Sequence, residues 1–277
     1  MQDKEYVRAV EWVTVNGCPK ADRTGTGTRS VTGVQLRFDL RQGFPLLTLK
    51  HIPFRVVAVE LQWFLQGYDN VQWLQERNVH IWDNDASKSA ERGFTDYPPG
   101  YLGPIYGQQW RNWNGHIDQI AALQKQLAED DTSRRMIVSA WNVSALPQMV
   151  LPPCHVMFQL LANDKYLDMV VTMRSGDMGL GIPFNMASYA LLLSLLAKIH
   201  NYTARDLIIN IGDAHIYSNH LEPLHELRHR APFLSPKLRI PDSITSLEDF
   251  CALDHKQFLL WVEDYIFHPK LILPLST

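Results

Sequence analysis

An α+β fold, with a mainly antiparallel sheet and helices set beside it, follows from three features of the sequence. The second half holds a succession of β-rich runs: Met136 to Trp141, Cys154 to Leu161, Tyr166 to Met173 and Leu207 to Ile211. The middle two flank Ala162-Asn163-Asp164-Lys165, a stretch with turn character, so they read as a hairpin. Between the last two lies the apolar run Met186 to Ile199, too long for a strand and therefore a buried helix. Strands paired antiparallel with helices on one side define the α+β class.

The remaining elements follow in order. Residues 4 to 15 read as an opening helix, and Val31 to Leu40 alternates as a strand does. Val56 to Leu65 is dense in apolar residues and reads as a helix, with Glu60 an acid among apolar neighbours. Residues 84 to 101 are polar and carry glycine and proline, which predicts a surface loop. Ile117, Ile120, Leu123 and Leu127 recur at helical spacing and predict an amphipathic helix. After Arg239 the pattern is mixed and partly irregular. No repeat, low-complexity tract or linker interrupts the chain, so one continuous domain over 1–277 is expected.

Composition narrows the function classes. The chain has 277 residues, 46% hydrophobic and 20% charged, which suits a globular enzyme-sized core. A formal net charge of −3 gives no general attraction to nucleic acid or to an anionic membrane, so an anion site has to be a local arginine cluster. No apolar run reaches the roughly 18 residues of a membrane span, and the start Met1-Gln2-Asp3-Lys4-Glu5 lacks a signal-peptide pattern. Three widely spaced cysteines, Cys18, Cys154 and Cys251, fit free thiols in a reducing, cytoplasmic setting. The histidines show no ligand spacing, and Asp83-Asn84-Asp85 lacks the glycine and glutamate of a calcium loop, so no metal is expected.

Four motifs carry chemistry. Pro152-Pro153-Cys154-His155 sets a cysteine at a strand start, where it is either a small core residue or, beside cations, an activated thiol. Arg174 follows the paired strand, and Arg23, Arg134 and Arg135 are further candidates to converge on it and lower its pKa. Asp22-Arg23-Thr24-Gly25-Thr26-Gly27-Thr28 is either a turn or a loop that offers backbone N–H groups to a phosphate. Adjacent Arg134 and Arg135 are either solvated or bidentate phosphate forks. Arg174 to Asn185 carries three glycines and a proline and reads as a loop into the buried helix. Asn185 either caps that helix or reads an amide-like ring. In Gly212-Asp213-Ala214-His215-Ile216-Tyr217, His215 and Tyr217 face one way in extended chain and can grip a sugar hydroxyl or serve as core.

Taken together and in this order, DRTGTGT (22–28), FPLLTLK (44–50), ELQWFLQG (60–67), IWD (81–83), LGPIYGQQWR (102–111), SRRMIVSAWN (133–142), LPPCH (151–155), RSGDMGLGIPFN (174–185) and GDAHIYSNH (212–220) closely resemble the thymidylate synthase family. The resemblance implies a homodimer with a mixed sheet at its interface, dUMP as substrate and 5,10-methylenetetrahydrofolate as one-carbon donor. It implies that Cys154 is the nucleophile. Arg23, Arg174 and Ser175 would bind the phosphate, reached also by Arg134 and Arg135 of the other subunit. His215 and Tyr217 match the ribose pair, Asn185 the reader of the uracil edge, and Glu60 and Tyr106 the proton-transfer network. Lys50, Trp82, Asp177, Leu180, Gly181, Phe184 and the end of the chain at Thr277 match the folate side. No obligatory nucleic acid is implied.

Two positions depart from the synthase pattern. Met173 stands where the family has glutamine before the Arg-Ser pair, which is similar to the dCMP hydroxymethylase branch, and Thr277 replaces a small apolar end residue. Trp82 and Asn185 fit a synthase acting on uracil. The alternatives to dTMP formation are a dUMP hydroxymethylase, giving 5-hydroxymethyl-dUMP and tetrahydrofolate, and an inactive nucleotide- or RNA-binding homologue. Cys154→Ser is expected to abolish turnover while dUMP binding, followed by calorimetry, persists. Turnover that survives the change removes Cys154 from the nucleophile role.

Overall fold

In the computed structural model, which describes residues 2–275, the chain opens with helix α1 (Asp3–Asn16), strand β1 (Cys18–Lys20) and strand β2 (Thr28–Asp39). Helices α2 (Phe54–Leu65), α3 (Gln72–Gln75), α4 (Asp83–Ser87), α5 (Tyr106–Arg111) and α6 (Gln119–Glu129) follow. Next come β3 (Ile137–Ser139), β4 (His155–Asn163), β5 (Tyr166–Asp177), α7 (Gly181–Ile199) and β6 (Thr203–Tyr217). The chain then carries α8 (Leu221–Leu227), β7 (Lys237–Leu238), α9 (Leu247–Ala252) and β8 (Val262–Glu263). Six strands form one sheet in the order β1-β2-β6-β5-β4-β3, and β7 pairs β8 apart from it. Every neighbour in the large sheet is antiparallel except β5 and β6, which run parallel. The sheet is therefore mixed, and the class is α+β as the sequence predicts. A parallel pair needs a crossover, and α7 supplies it.

Hydrophobic periodicity explains the packing. In α1, Tyr6, Ala9, Val10 and Val13 form one buried stripe, and α1 packs on β2. Helix α7 is buried almost all round, which is why it was legible as core. It begins at Gly181, five residues before the apolar run, and so reaches the length and apolarity of a membrane span. Its 18-residue window is 72% buried within the chain, the pattern of a core helix.

Side-chain alternation inverts along one line across three strands. Gly33 in β2, Gly212 in β6 and Arg174 in β5 lie at corresponding register positions. Before Gly212 the buried residues of β6 are Leu207, Ile209 and Ile211; after it they are Ala214 and Ile216. In β5 burial passes likewise from Val171 and Met173 to Gly176. The inversion makes Asp213, His215 and Tyr217 half-buried and Ile216 core. Gly33 adopts φ +78° on this line, a conformation that suits glycine.

Several expectations are corrected. Arg174 to Asp177 lie inside β5 and not in a loop, and β6 runs on through Gly212 to Tyr217, past the Leu207–Ile211 run. Gly176 is needed for close approach: a Cβ there would lie 2.8 Å from Ile182 Cδ1 and 2.9 Å from Ile211 Cγ2. Asn185 sits inside α7 and is not its cap. The β4–β5 turn is only Asp164-Lys165, because Asn163 pairs with Tyr166, and Asp164 takes φ 57°. Ile117 lies before α6, half exposed and bridged to Trp113, since Asp118 caps the helix by accepting from Ala121 N–H. Residues 84–101 include most of α4.

Segment 102–103 backs the approach to Cys154. Val150 N–H donates to Leu102 O at 3.0 Å, and Tyr97 Oη donates to Gln148 O at 2.6 Å. Gly103 has φ +79°, and a Cβ there would sit 1.9 Å from Gln148 O. Gly103→Ala should therefore destabilise the fold by on the order of 3 kcal/mol, read as a lowered urea midpoint. An unchanged midpoint would contradict this close approach.

Candidate functional site

Cys154 is placed just before β4, between Pro153 and His155, and its surroundings fix it on every side. Its N–H donates to the Tyr106 hydroxyl at 2.7 Å, and its carbonyl accepts from Arg174 N–H at 2.9 Å. The Arg174 guanidinium donates from Nε to Pro153 O at 2.9 Å and from Nη2 to Pro152 O at 2.8 Å, with Nη2 also 3.7 Å from Cys154 Sγ. One arginine thus holds the loop and faces the thiol. Burial pushes the Cys154 thiol up, and Arg174 pulls against it while Asp85 and Asp177 add to the rise. The expected lowering of the thiol by converging arginines is not met: among the described residues Arg174 alone opposes the rise, and burial outweighs it.

Behind the thiol runs a buried column of polar and aromatic groups. Trp82 Nε1 donates to Glu60 Oε1 at 2.8 Å. Burial raises the Glu60 carboxyl to about 7, against the opposing Trp82 hydrogen bond. The Tyr106 ring stacks on His155 at 4.1 Å and meets Trp82 edge-on at 5.9 Å. His155 Nδ1 pairs with Tyr189 Oη at 2.8 Å, and burial lowers this imidazole to about 3, so it is neutral near pH 7. Glu60 and Tyr106, named from sequence, are thus brought together around Trp82.

The opposite wall is the loop from β5 to α7. Asp177 Oδ1 accepts from Gly179 N–H at 2.8 Å, and buried Lys50 donates to Gly179 O at 2.5 Å. Burial lowers Lys50 to about 8, with Asp177 opposing. Asp177 Oδ2 and the Asn185 amide have no hydrogen-bond partner among the described residues, so each can take a ligand. Leu180, Gly181 and Phe184 are half-buried beside them. His215 Nδ1 lies 3.1 Å from Asp213 Oδ1, and its ring meets Tyr217 edge-on at 5.4 Å. Ser175 lies opposite Asp213 in the β5–β6 register. A thiol under an arginine, an unpaired amide and an unpaired carboxylate oxygen therefore share one end of the sheet.

A family model described as thymidylate synthase matches residues 4–277. The chain belongs to the thymidylate synthase family. Membership gives one-carbon transfer to dUMP as the general reaction and makes the protein a transferase of nucleotide biosynthesis. The family's co-substrate is methylenetetrahydrofolate.

Three further cations were expected at the phosphate, and of these Arg23 lies near enough to Tyr217 to act on its hydroxyl. Arg23, Arg134 and Arg135 are exposed, and none forms a salt bridge among the described residues. The 22–28 loop does not offer its N–H groups outward: Asp22 accepts from Thr24 N–H at 2.8 Å and Gly27 N–H at 2.7 Å. That favours the turn reading, with Arg23 exposed on it. Thr277 lies outside the described residues. A cleft of about 720 Å³ opens at the other end of the sheet, lined by Arg41, Lys198, Lys237 and Arg239. Each of these cations is already paired, with Asp39, Asp242, Asp264 and Glu263.

The sequence reading missed His155, Tyr189 and Asp85. Tyr189 follows Asn185 by four residues, which puts it on the same helix face one turn on. That spacing was the available signal. Asp85 gave none, because its approach to Cys154 depends on how α4 packs.

The raised Glu60 carboxyl has a stability consequence with a definite sign. Its contribution is fully present below the usual value of 4.5 and is lost as pH rises through about 7. Glu60→Gln, which removes the charge, should gain stability over the parent by on the order of 3 kcal/mol at pH 8 compared with pH 4. Urea unfolding at the two pH values reads this. Equal differences at both would show that Glu60 keeps an ordinary carboxyl.

Proposed function

We propose that this chain transfers the one-carbon unit of 5,10-methylenetetrahydrofolate to C5 of dUMP through a covalent bond between Cys154 and C6, giving dTMP and dihydrofolate. The observation that carries this reading is the Arg174 clamp, which ties the Cys154 loop and faces the sulfur at 3.7 Å. Burial favours the neutral thiol, so a dianionic nucleotide and the cations that bind it belong to the activated state. C5 of uracil is a poor nucleophile. Thiolate addition at C6 converts the ring to an enolate whose C5 is nucleophilic.

The roles are those that the family resemblance implies. Arg174, Ser175 and Arg23 bind the phosphate. Arg134 and Arg135 reach the same phosphate from a second copy, which accounts for two exposed arginines without ion pairs among the described residues. The sheet face bearing Gln35, Arg37 and the half-buried Ile208 and Asn210 is the dimer face. Asn185 reads the uracil edge with its unpaired amide, and His215 and Tyr217 hold the ribose. Glu60, with a carboxyl near 7, can both give and take a proton, and Tyr106 lines the same column. The folate supplies the methylene and the hydride. The residues on its side fit it: Asp177 Oδ2 can accept from a ring N–H, Lys50 and Gly181 fix the loop, and Trp82, Leu180 and Phe184 offer apolar surface.

One observation favours a second reading, dUMP hydroxymethylation. Met173 is buried, opposite His155 in the β4–β5 register, and its thioether cannot donate the hydrogen bonds of an amide. Water would then capture the exocyclic methylene.

Mass spectrometry of both products from dUMP and methylenetetrahydrofolate tests these readings. We expect dTMP with dihydrofolate. Hydroxymethyl-dUMP with tetrahydrofolate would replace the synthase reading with the second, and no product would overturn both.

A further inference from the structure

We propose that His220 is a positioning residue that ties the segment at Pro274 to the loop carrying Asp177 and Gly179. His220 ends the stretch after β6 and is fully buried. Its Nε2 lies 2.6 Å from Pro274 O, a carbonyl that can only accept, so Nε2 carries the proton and donates. Its Nδ1 is buried with no hydrogen-bond partner among the described residues and lies 3.9 Å from Asp177 Oδ1. The ring also meets Tyr217 edge-on at 5.7 Å.

Gly179 makes the arrangement possible. A Cβ there would lie 2.7 Å from His220 Nδ1. The same short loop is held by Lys50 at Gly179 O, by Asp177 at Gly179 N–H, and by Tyr6 Oη, which donates to Met178 O at 2.5 Å. Met178 N–H donates to His215 O at 2.9 Å. The loop is thus fixed to α1, to the 44–50 segment and to β6, whereas Pro274 reaches it through one imidazole. A buried ring nitrogen without a partner is a costly feature to keep. Here it accompanies the bond from Nε2 to Pro274 O, with Nδ1 facing Gly179 and Asp177. Together these contacts put the nucleoside-side ring Tyr217, the loop acid Asp177 and the Pro274 segment on one side chain.

Two conservative changes separate the two ring nitrogens. In His220→Gln the amide nitrogen reaches the position of Nε2 and can still donate to Pro274 O. In His220→Asn it reaches only the position of Nδ1. Hydrogen–deuterium exchange of the 270–275 peptide should quicken about tenfold in His220→Asn and stay within about twofold of the parent in His220→Gln. Exchange that quickens equally in both, or in neither, overturns the proposal. The kinetic arm rests on the function proposed above: His220→Asn should raise KM for methylenetetrahydrofolate about tenfold and leave dUMP affinity within about twofold. Equal loss of both ligands overturns the positioning role and leaves only a structural one. If the parent turns over neither substrate, the function reading fails, while the exchange comparison still decides the tie.

Discussion

The parallel pairing of β5 and β6 is the constraint on which the site depends. Two parallel strands cannot be joined by a tight turn, so the chain must leave the end of β5, cross back as α7 and re-enter at the start of β6. The end of β5, the start of α7 and the end of β6 therefore meet at one edge of the sheet. Arg174 and Asp177, Asn185, and His215 and Tyr217 sit at these three places. Forty residues of sequence separate Arg174 from His215, and the crossover brings their strands to the same end. The antiparallel β4 then carries its own start, and Cys154, to that end as well.

The second condition is burial of ionisable groups. Glu60, Lys50, Cys154 and His155 all lie in surroundings that oppose their charged forms. Such groups reduce stability unless hydrogen bonds offset the loss of water, and here each has a specific partner. Trp82 serves Glu60, a backbone carbonyl serves Lys50, and a tyrosine hydroxyl serves His155. The aromatic ring of Tyr106 links the two halves by packing on Trp82 and on His155 at once. The large core of α2, α7 and the inner sheet face gives the rigidity that keeps these pairs in register.

Much of this was readable in the sequence because periodicity reports burial. The opening helix, the apolar run of α7 and the hairpin of β4 and β5 were all visible. What escaped was set by tertiary contacts. Glycine at 176 signals a loop by composition, but in the fold it marks a place where helix and strand come too close for a Cβ. The inversion at Gly212 could not be read from alternation, since alternation is what it breaks. Cys154, Glu60 and Asn185 stood out by chemistry or setting, whereas Tyr106 and Asp177 were named only through the family resemblance. His155 and Tyr189 were missed because a histidine or tyrosine in an apolar run looks like core.

Lys50 and Glu60 give the site an unusual proton ledger. One holds its proton with a value of about 8 and the other with about 7, so both are partly titrated in ordinary neutral buffer. A ligand that displaces water from both walls drives the carboxyl to take up a proton and the ammonium to release one. The two exchanges have opposite sign, so the proton count of binding reports their difference and not either group alone.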